Sequence, residues 1–176
     1  MGLEQDENVM LVGVVSRLTW QKGFYLLMEQ LDALCALPIQ LVVLGSGEYA
    51  IEEKMEQLQA GNRGKIAFYS GYNESLAHRI YAACDLFFMP SLFEPCGISQ
   101  LISMRYGTLP FVRETGGLKD TVTPYNEFEK TGNGFSFYNY NSNEMMDVLR
   151  MAVSVYYDRP EDWKILVRNA MSTDVS

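Results

Sequence analysis

The sequence is poor in the residues from which metal centres, disulfide frameworks and histidine-dependent active sites are built. Among its 176 residues there are 3 cysteines and 1 histidine. Cys35, Cys84 and Cys96 are widely separated and include no C-x-x-C pair, so neither a disulfide framework nor a structural zinc site is predicted. His78 lies in a helical pattern, where a structural role is expected, and this argues against Ser-His-Asp and Cys-His hydrolases.

Positive charge is also scarce. Lys and Arg total 14 against 22 Asp and Glu, which gives a net charge of −8. Neither nucleic acid nor an anionic membrane is therefore predicted as a partner, and any bound anion must be held by a local site. No apolar run approaches the roughly 20 residues that span a bilayer. The polar first eight residues lack the order of a signal peptide, so a cytoplasmic location is expected.

What the sequence has is a regular alternation of apolar runs and helical patterns, within a composition that is 48% hydrophobic. The runs that read as strands are 9–15, 39–45, 65–71, 85–91, 108–114 and 134–140. The helical patterns are 22–36, 48–58, 75–83, 98–106 and 143–171, the last divided before Pro160. Strands that are apolar throughout, each followed by a helix, predict an α/β fold: a doubly wound, Rossmann-like domain with a mostly parallel six-stranded sheet.

The same pattern predicts the domain organisation. Residues 9–171 are expected to form a single domain, preceded by a lead-in or linker at 1–8 and followed by a truncated tail at 172–176. Ligands of doubly wound sheets bind at the carboxyl ends of the strands, so the loops at those ends are where functional residues are expected.

The loop after the first strand contains two cations, Arg17 and Lys22, in the segment SRLTWQKG. Lys22 is expected at the mouth of the following helix, where free backbone N–H groups already favour an anion. In an acidic chain this pair suggests a phosphate clamp. The alternative is that Arg17 pairs with a carboxylate and Lys22 is a solvated helix residue.

The next two loops carry weaker signals. Gly45-Ser46-Gly47 lacks the third glycine of a dinucleotide fingerprint, which disfavours NAD and favours a simple tight turn. Gly71 and Tyr72 follow the third strand, where an open approach and an aromatic ring could flank a nucleobase.

The loop after the fourth strand, FEPCGIS, is the most informative. Glu94 could accept hydrogen bonds from sugar hydroxyls, and the first amides of the next helix, at Ile98 and Ser99, could face a diphosphate. The alternative is that Glu94 only caps that helix. Thr115-Gly116-Gly117-Leu118, after the fifth strand, is predicted to be a small-residue turn.

Five segments together carry a family resemblance: SRLTWQKG, LGSGE, GYNESLAHRIYAACD, PSLFEPCGISQLISMRYGTLPFVRETGGLKDTV and NGFSF. In this order they closely resemble the carboxyl-terminal half of bacterial glycogen synthases and plant starch synthases. The resemblance implies a retaining GT-B glucosyltransferase that transfers glucose from ADP-glucose to the non-reducing end of an α-1,4-glucan such as glycogen. It also implies that this chain is the nucleotide-sugar-binding half, inactive without its amino-terminal domain.

The resemblance also assigns roles to individual positions. Arg17 and Lys22 would hold the diphosphate, and Glu94 would contact the transferred glucose. The remaining positions are substrate contacts: the amides of Cys96 and Gly97 for sugar hydroxyls, those of Ile98 and Ser99 for phosphates, and Gly71 with Tyr72 for adenine. No metal or other cofactor is expected, because the two cations take the counter-charge role.

The chain departs from related patterns at two positions. The segment from Arg113 to Leu118 echoes a Lys-Thr-Gly-Gly-Leu loop of the family's other domain, but Glu114 stands where that loop has lysine. Ile102 stands eight residues after Glu94, where many other retaining transferases have a second glutamate. The second departure is usual for glycogen and starch synthases and argues against a UDP-sugar-dependent transferase of the same fold. That transferase is kept as an alternative, as is a non-catalytic regulatory domain that binds nucleotide or glucan.

Overall fold

A six-stranded sheet forms the centre of the computed structural model, which describes residues 2–92 and 97–173. The strand order is β3-β2-β1-β4-β5-β6, and every pairing in it is parallel. The strands are β1 Met10–Val15, β2 Ile39–Gly45, β3 Ile66–Ser70, β4 Leu86–Met89, β5 Leu109–Arg113 and β6 Phe135–Phe137. The predicted fold class, a doubly wound α/β sheet, is confirmed.

Helices connect the strands. A 3₁₀ helix, Trp20–Lys22, follows β1. The α-helices are α1 Phe24–Glu29, α2 Leu31–Cys35, α3 Tyr49–Gly61, α4 Glu74–Ala83, α5 Ser99–Arg105, α6 Gly116–Thr121, α7 Ser142–Asp158 and α8 Pro160–Met171. Among the described residues, none of these helices combines the length and the apolar character needed to cross a membrane.

The strands are apolar throughout because helices cover both faces of the sheet. All seven residues of β2 are buried. Since successive side chains of a strand point to opposite faces, Leu41 and Val43 join one apolar cluster and Val42 and Leu44 join the other. The sheet is thus the shared wall of two cores, which leaves its carboxyl edge and the loops there as the open side.

The strand order fixes where that open side is widest. The chain winds from β1 outward to β3, then returns and continues on the other side through β4, β5 and β6. β1 and β4 are therefore neighbours whose following connections run in opposite directions. In doubly wound sheets this switch point forms the ligand crevice, and here it lies between the loops that contain Arg17 and Leu92.

Two local predictions were wrong. The helical pattern 22–36 is not one helix: Gly23, in the left-handed region, separates the 3₁₀ helix from α1, and Gln30, with φ −124°, separates α1 from α2. The segment 115–118 is not simply a turn, because α6 begins at Gly116. Leu118 is completely buried against the smaller apolar cluster, and this packing outweighs the low helix propensity of the two glycines.

Candidate functional site

The two predicted cations lie on the loop that leaves β1 at the switch point. Arg17 is exposed, two residues beyond the end of the strand. Lys22 is half-buried and is the last residue of the 3₁₀ helix. This loop is fastened to the loop after β4, because the backbone N–H of Leu92 donates to the Gln21 carbonyl at 2.8 Å. The loop of the cations and the loop that leads towards Glu94 are therefore in direct contact.

Gly23 makes that contact possible. Its φ is +88°, a conformation that favours glycine. A Cβ at this position would overlap the carbonyl oxygen of Pro90. The β1 loop can thus lie flat against the β4 loop only because residue 23 has no side chain.

The loop after β2 is attached to the β1 loop in the same manner. Leu18 donates its N–H to the Ser46 carbonyl at 2.9 Å and accepts from the Glu48 N–H at 2.8 Å. A Cβ on Gly47 would come within 2.5 Å of the Leu18 carbonyl oxygen. These glycines permit close packing between loops, and Gly47 forms an isolated parallel bridge with Leu18.

The loop after β3 presents an aromatic ring to solvent. Gly71 has φ +106° and donates its N–H to the Gly45 carbonyl at 3.0 Å. Tyr72 is 77% exposed. Asn73 caps α4, since its side-chain oxygen accepts from the Leu76 N–H at 2.9 Å. The ring of Tyr72 is therefore accessible for stacking, at the end of an edge strand two positions from β1.

The loop after β4 is described only in part. Glu94 and Cys96, both predicted site residues, lie outside the described residues. Gly97 is buried, with φ +61°, and is packed against the side chains of Gln100 and Leu118.

Ile98 and Ser99 form the entry to α5. Ile98 is 65% exposed and occupies the N-cap position, and Ser99 is the first residue of the helix. Burial raises the pKa of the neighbouring Tyr81, and a hydrogen bond with the Ser99 side chain acts in the opposite direction. The Ser99 side chain is thus held against a buried tyrosine.

Arg113 and Tyr140 extend the site towards β5 and β6, and no role for either followed from the sequence. Arg113 ends β5, and its Nη1 donates to the Leu92 carbonyl at 2.9 Å. Its guanidinium carbon lies 5.6 Å from the centre of the Tyr140 ring, and the Tyr140 hydroxyl donates to the Trp20 carbonyl at 3.3 Å. The sequence signal that could have indicated Arg113 is its position, because it is a charged residue at the carboxyl end of an apolar strand.

The carboxyl edge of the sheet carries cations on the β1 loop and an exposed tyrosine after β3. Backbone hydrogen bonds join the loops after β1, β2 and β4 to one another. Cations and an accessible aromatic ring are the groups that an anion with an attached flat ring would use. In the part of the chain that the structure describes, no three or more His, Cys, Asp or Glu side chains are grouped closely enough to hold a metal ion.

Curated glycogen synthases are similar to this chain along its whole length. The glycogen synthase of Lachnospira eligens is 51% identical over 176 residues, which are 100% of this chain and 37% of that protein. The glycogen synthase of Streptococcus mutans is also 51% identical, with the same coverage of 100% and 37%. The chain thus spans 37% of the length of these relatives. The resemblance recognised from the sequence motifs is confirmed.

A solved structure gives the same result for the fold. The catalytic domain of starch synthase IV from Arabidopsis thaliana, bound to ADP and acarbose, superimposes with a TM-score of 0.90 at 37% identity, over 99% of this chain and 37% of that chain. This agrees with the Rossmann-like half of a GT-B architecture that the sequence predicts. The profile of the family described as Glycosyl transferases group 1 matches residues 2–166, and the chain belongs to this family.

Proposed function

We propose that this chain is the nucleotide-sugar-binding half of an ADP-glucose-dependent glycogen synthase. The intact protein would transfer glucose from ADP-glucose to the non-reducing end of an α-1,4-glucan, with retention of configuration. The observation that carries the proposal is the 51% identity to glycogen synthases over all 176 residues. The placement of Arg17 and Lys22 at the switch point, where such a sheet binds ligands, supports it.

In the proposed reaction, the bond between glucose and the diphosphate breaks as negative charge develops on the departing ADP. Arg17 and Lys22 would stabilise that charge from fixed positions, and such groups accelerate a reaction when they act more strongly on the transition state than on the ground state. The two cations then suffice as counter-charge, so no metal or other cofactor is part of the proposal.

The sugar would be held by the loop after β4. Glu94 would accept hydrogen bonds from its hydroxyls and support positive character at the anomeric carbon. The amides of Cys96 and Gly97 would face the sugar, and those of Ile98 and Ser99 the phosphates. Tyr72, exposed beside Gly71, would flank the adenine. Each of these contacts stays a prediction.

The acceptor glucan and the amino-terminal domain belong to the proposal as well. That domain would close the other side of the crevice, so the chain alone is expected to bind ADP weakly and to transfer no glucose. Transfer by the chain above a Glu94→Ala control would contradict this. The cytoplasmic location expected from the sequence stays a prediction.

The donor assignment is tested by titrating the chain with ADP, UDP and NAD in a calorimeter. We expect saturable binding of ADP in preference to the other two. Arg17→Ala should weaken that binding by about 10- to 100-fold, because it removes charge-assisted hydrogen bonds to phosphate. Arg150→Ala is the matched control, since Arg150 lies in α7 and pairs with Asp147 on the helix surface.

Other results of the same titration would overturn parts of the proposal. Preference for UDP would favour a UDP-sugar-dependent transferase. Unchanged ADP affinity in both Arg17→Ala and Glu94→Ala would favour a regulatory nucleotide-binding domain. If no nucleotide bound, this chain would not hold a self-sufficient donor site.

A further inference from the structure

We propose that Arg113 and Tyr140 form a positioning pair that holds the β1 and β4 loops in the arrangement needed by the donor site. The nature of that site rests on the proposed function, whereas the positioning itself rests on the contacts described above. Neither residue is placed in contact with the substrate. Each acts on a backbone carbonyl, Arg113 on Leu92 and Tyr140 on Trp20.

The environment of Arg113 indicates that its charge is used for orientation. The side chain is half-buried and makes no ion pair with any carboxylate among the described residues. Its Nε is buried without a hydrogen-bond partner. A guanidinium in this setting is costly to desolvate, and the Leu92 carbonyl and the face of the Tyr140 ring stabilise it. The hydrogen bond from the Tyr138 backbone is the main cause that lowers the pKa of Glu144, and the charge of Arg113 lowers it further, so Arg113 also interacts with that carboxylate.

The pair completes a ring of contacts among four parts of the carboxyl edge: the β1 loop, the β4 loop, the end of β5 and the segment after β6. Leu92 is joined to Gln21 by its N–H and to Arg113 by its carbonyl. Tyr140, beyond the end of β6, joins Arg113 to Trp20, the first residue of the 3₁₀ helix. Leu92 is therefore held on both sides of its backbone.

The ring of contacts positions the turn that carries Lys22. Trp20, Gln21 and Lys22 make up the 3₁₀ helix, a single turn too short to hold its position without outside contacts. Two of its three carbonyls accept hydrogen bonds from members of the ring of contacts: the Trp20 carbonyl from the Tyr140 hydroxyl, and the Gln21 carbonyl from the Leu92 N–H. Loss of Arg113 would release the Leu92 carbonyl and one support of the Tyr140 ring, so the turn that carries Lys22 would become more mobile.

The fluorescence of Trp20 reports this turn without any ligand. The chain has two tryptophans, of which Trp20 is 43% exposed and Trp163 is 8% exposed. Acrylamide therefore quenches Trp20 preferentially, and a Trp20→Phe sample gives the Trp163 contribution for subtraction. The variants are Arg113→Ala, Arg113→Lys and Tyr140→Phe, with Arg150→Ala as control and circular dichroism as the check of folding.

We expect stronger Trp20 quenching in Arg113→Ala and in Tyr140→Phe, and wild-type quenching in Arg150→Ala. Arg113→Ala should weaken ADP binding by about tenfold, equivalent to the loss of roughly one hydrogen bond. Arg113→Lys should recover part of both effects, because lysine can still donate to the Leu92 carbonyl but lacks the planar group that stacks on Tyr140.

Unchanged Trp20 quenching in folded Arg113→Ala would overturn the inference, as would increased quenching with wild-type ADP affinity. If Arg113→Ala does not fold, Tyr140→Phe decides, since it removes only a hydroxyl. If the wild-type chain binds no ADP yet the quenching changes as expected, the positioning role stands, whereas the proposal that this chain by itself holds a donor site fails.

Discussion

Replacing Gly23 with alanine tests whether the contact between the β1 and β4 loops depends on the missing side chain. Two costs add at this position. A non-glycine residue in the left-handed region costs about 1–2 kcal/mol. Forcing a methyl group into the space of the Pro90 carbonyl oxygen should cost about 1–3 kcal/mol, as in other overpacked sites. The expected loss in the free energy of unfolding is therefore about 2–5 kcal/mol.

Two other glycines separate the costs. Gly71 also has a positive φ, +106°, but a Cβ there meets nothing within 4 Å, so Gly71→Ala carries backbone strain alone. Gly61 ends α3 with equal open space and no positive φ, so Gly61→Ala should stabilise slightly, by up to about 1 kcal/mol.

Urea unfolding followed by circular dichroism measures all three variants against the wild-type chain. The expected order of stability is Gly61→Ala, wild type, Gly71→Ala and then Gly23→Ala. A Gly23→Ala variant no less stable than Gly71→Ala would refute the claim that the loops touch at Pro90. If the proposed function is right, Gly23→Ala should also lower the affinity for ADP, because the added methyl group shifts the turn that carries Lys22.

Three further results are expected. Burial raises the pKa of Asp85, so its ionised form is disfavoured in the folded protein. Asp85→Asn should therefore raise Tm at pH 7, and this gain should vanish as the pH falls below 3.8, the ordinary pKa of an aspartate. The Tyr125 hydroxyl and then Lys130 lower the pKa of Asp162, so Asp162→Asn should lower Tm at pH 7, and that deficit should shrink as pH falls through the lowered pKa. Burial raises the pKa of Cys84 strongly, so iodoacetamide and mass spectrometry should find it alkylated only after unfolding, later than half-exposed Cys35.

The strands were predictable because each is an apolar run buried on both faces. The predicted bounds of β2, 39–45, are the observed ones, and the other predicted runs contain the observed strands. The division of the last helical pattern before Pro160 was also predictable, because proline lacks the N–H that a helix interior needs and suits a first turn. Local chemistry alone decides such features.

The wrong predictions concern segments whose structure depends on contacts with residues far away in the chain. Apolar spacing continues through Gln30, yet the helix breaks there, where the Gln30 side chain donates to Ser142 and Asn143 at the start of α7, at 3.0 Å each. Helical periodicity carries no information about such a partner. The same limit applies to α6, whose glycines read as a turn until the burial of Leu118 is known.

In the candidate site, too, some features could be predicted from the sequence and others could not. Arg17 and Lys22 could be placed from the sequence, because a loop that follows a predicted strand must emerge at the carboxyl edge. The contacts that fix those loops could not: Gly23 against Pro90, and Arg113 beside Tyr140, join residues far apart in the chain. The sequence therefore predicted which loop carries the two cations to the carboxyl edge, and only the structure shows what holds that loop in place.

The contacts that hold the β1 loop in place matter for the proposed reaction. In a chain of net charge −8, the overall field repels a diphosphate, so attraction must come from a few cations close to the ligand. Cations on loose loops would have to be reorganised as charge develops, and that reorganisation would cancel much of their benefit. Here the β1 loop is bonded on one side to the β2 loop through Leu18 and on the other to the β4 loop through Gln21. Substitutions that loosen these bonds should therefore impair transfer by the intact protein even where the fold is retained and although none of them removes a charge.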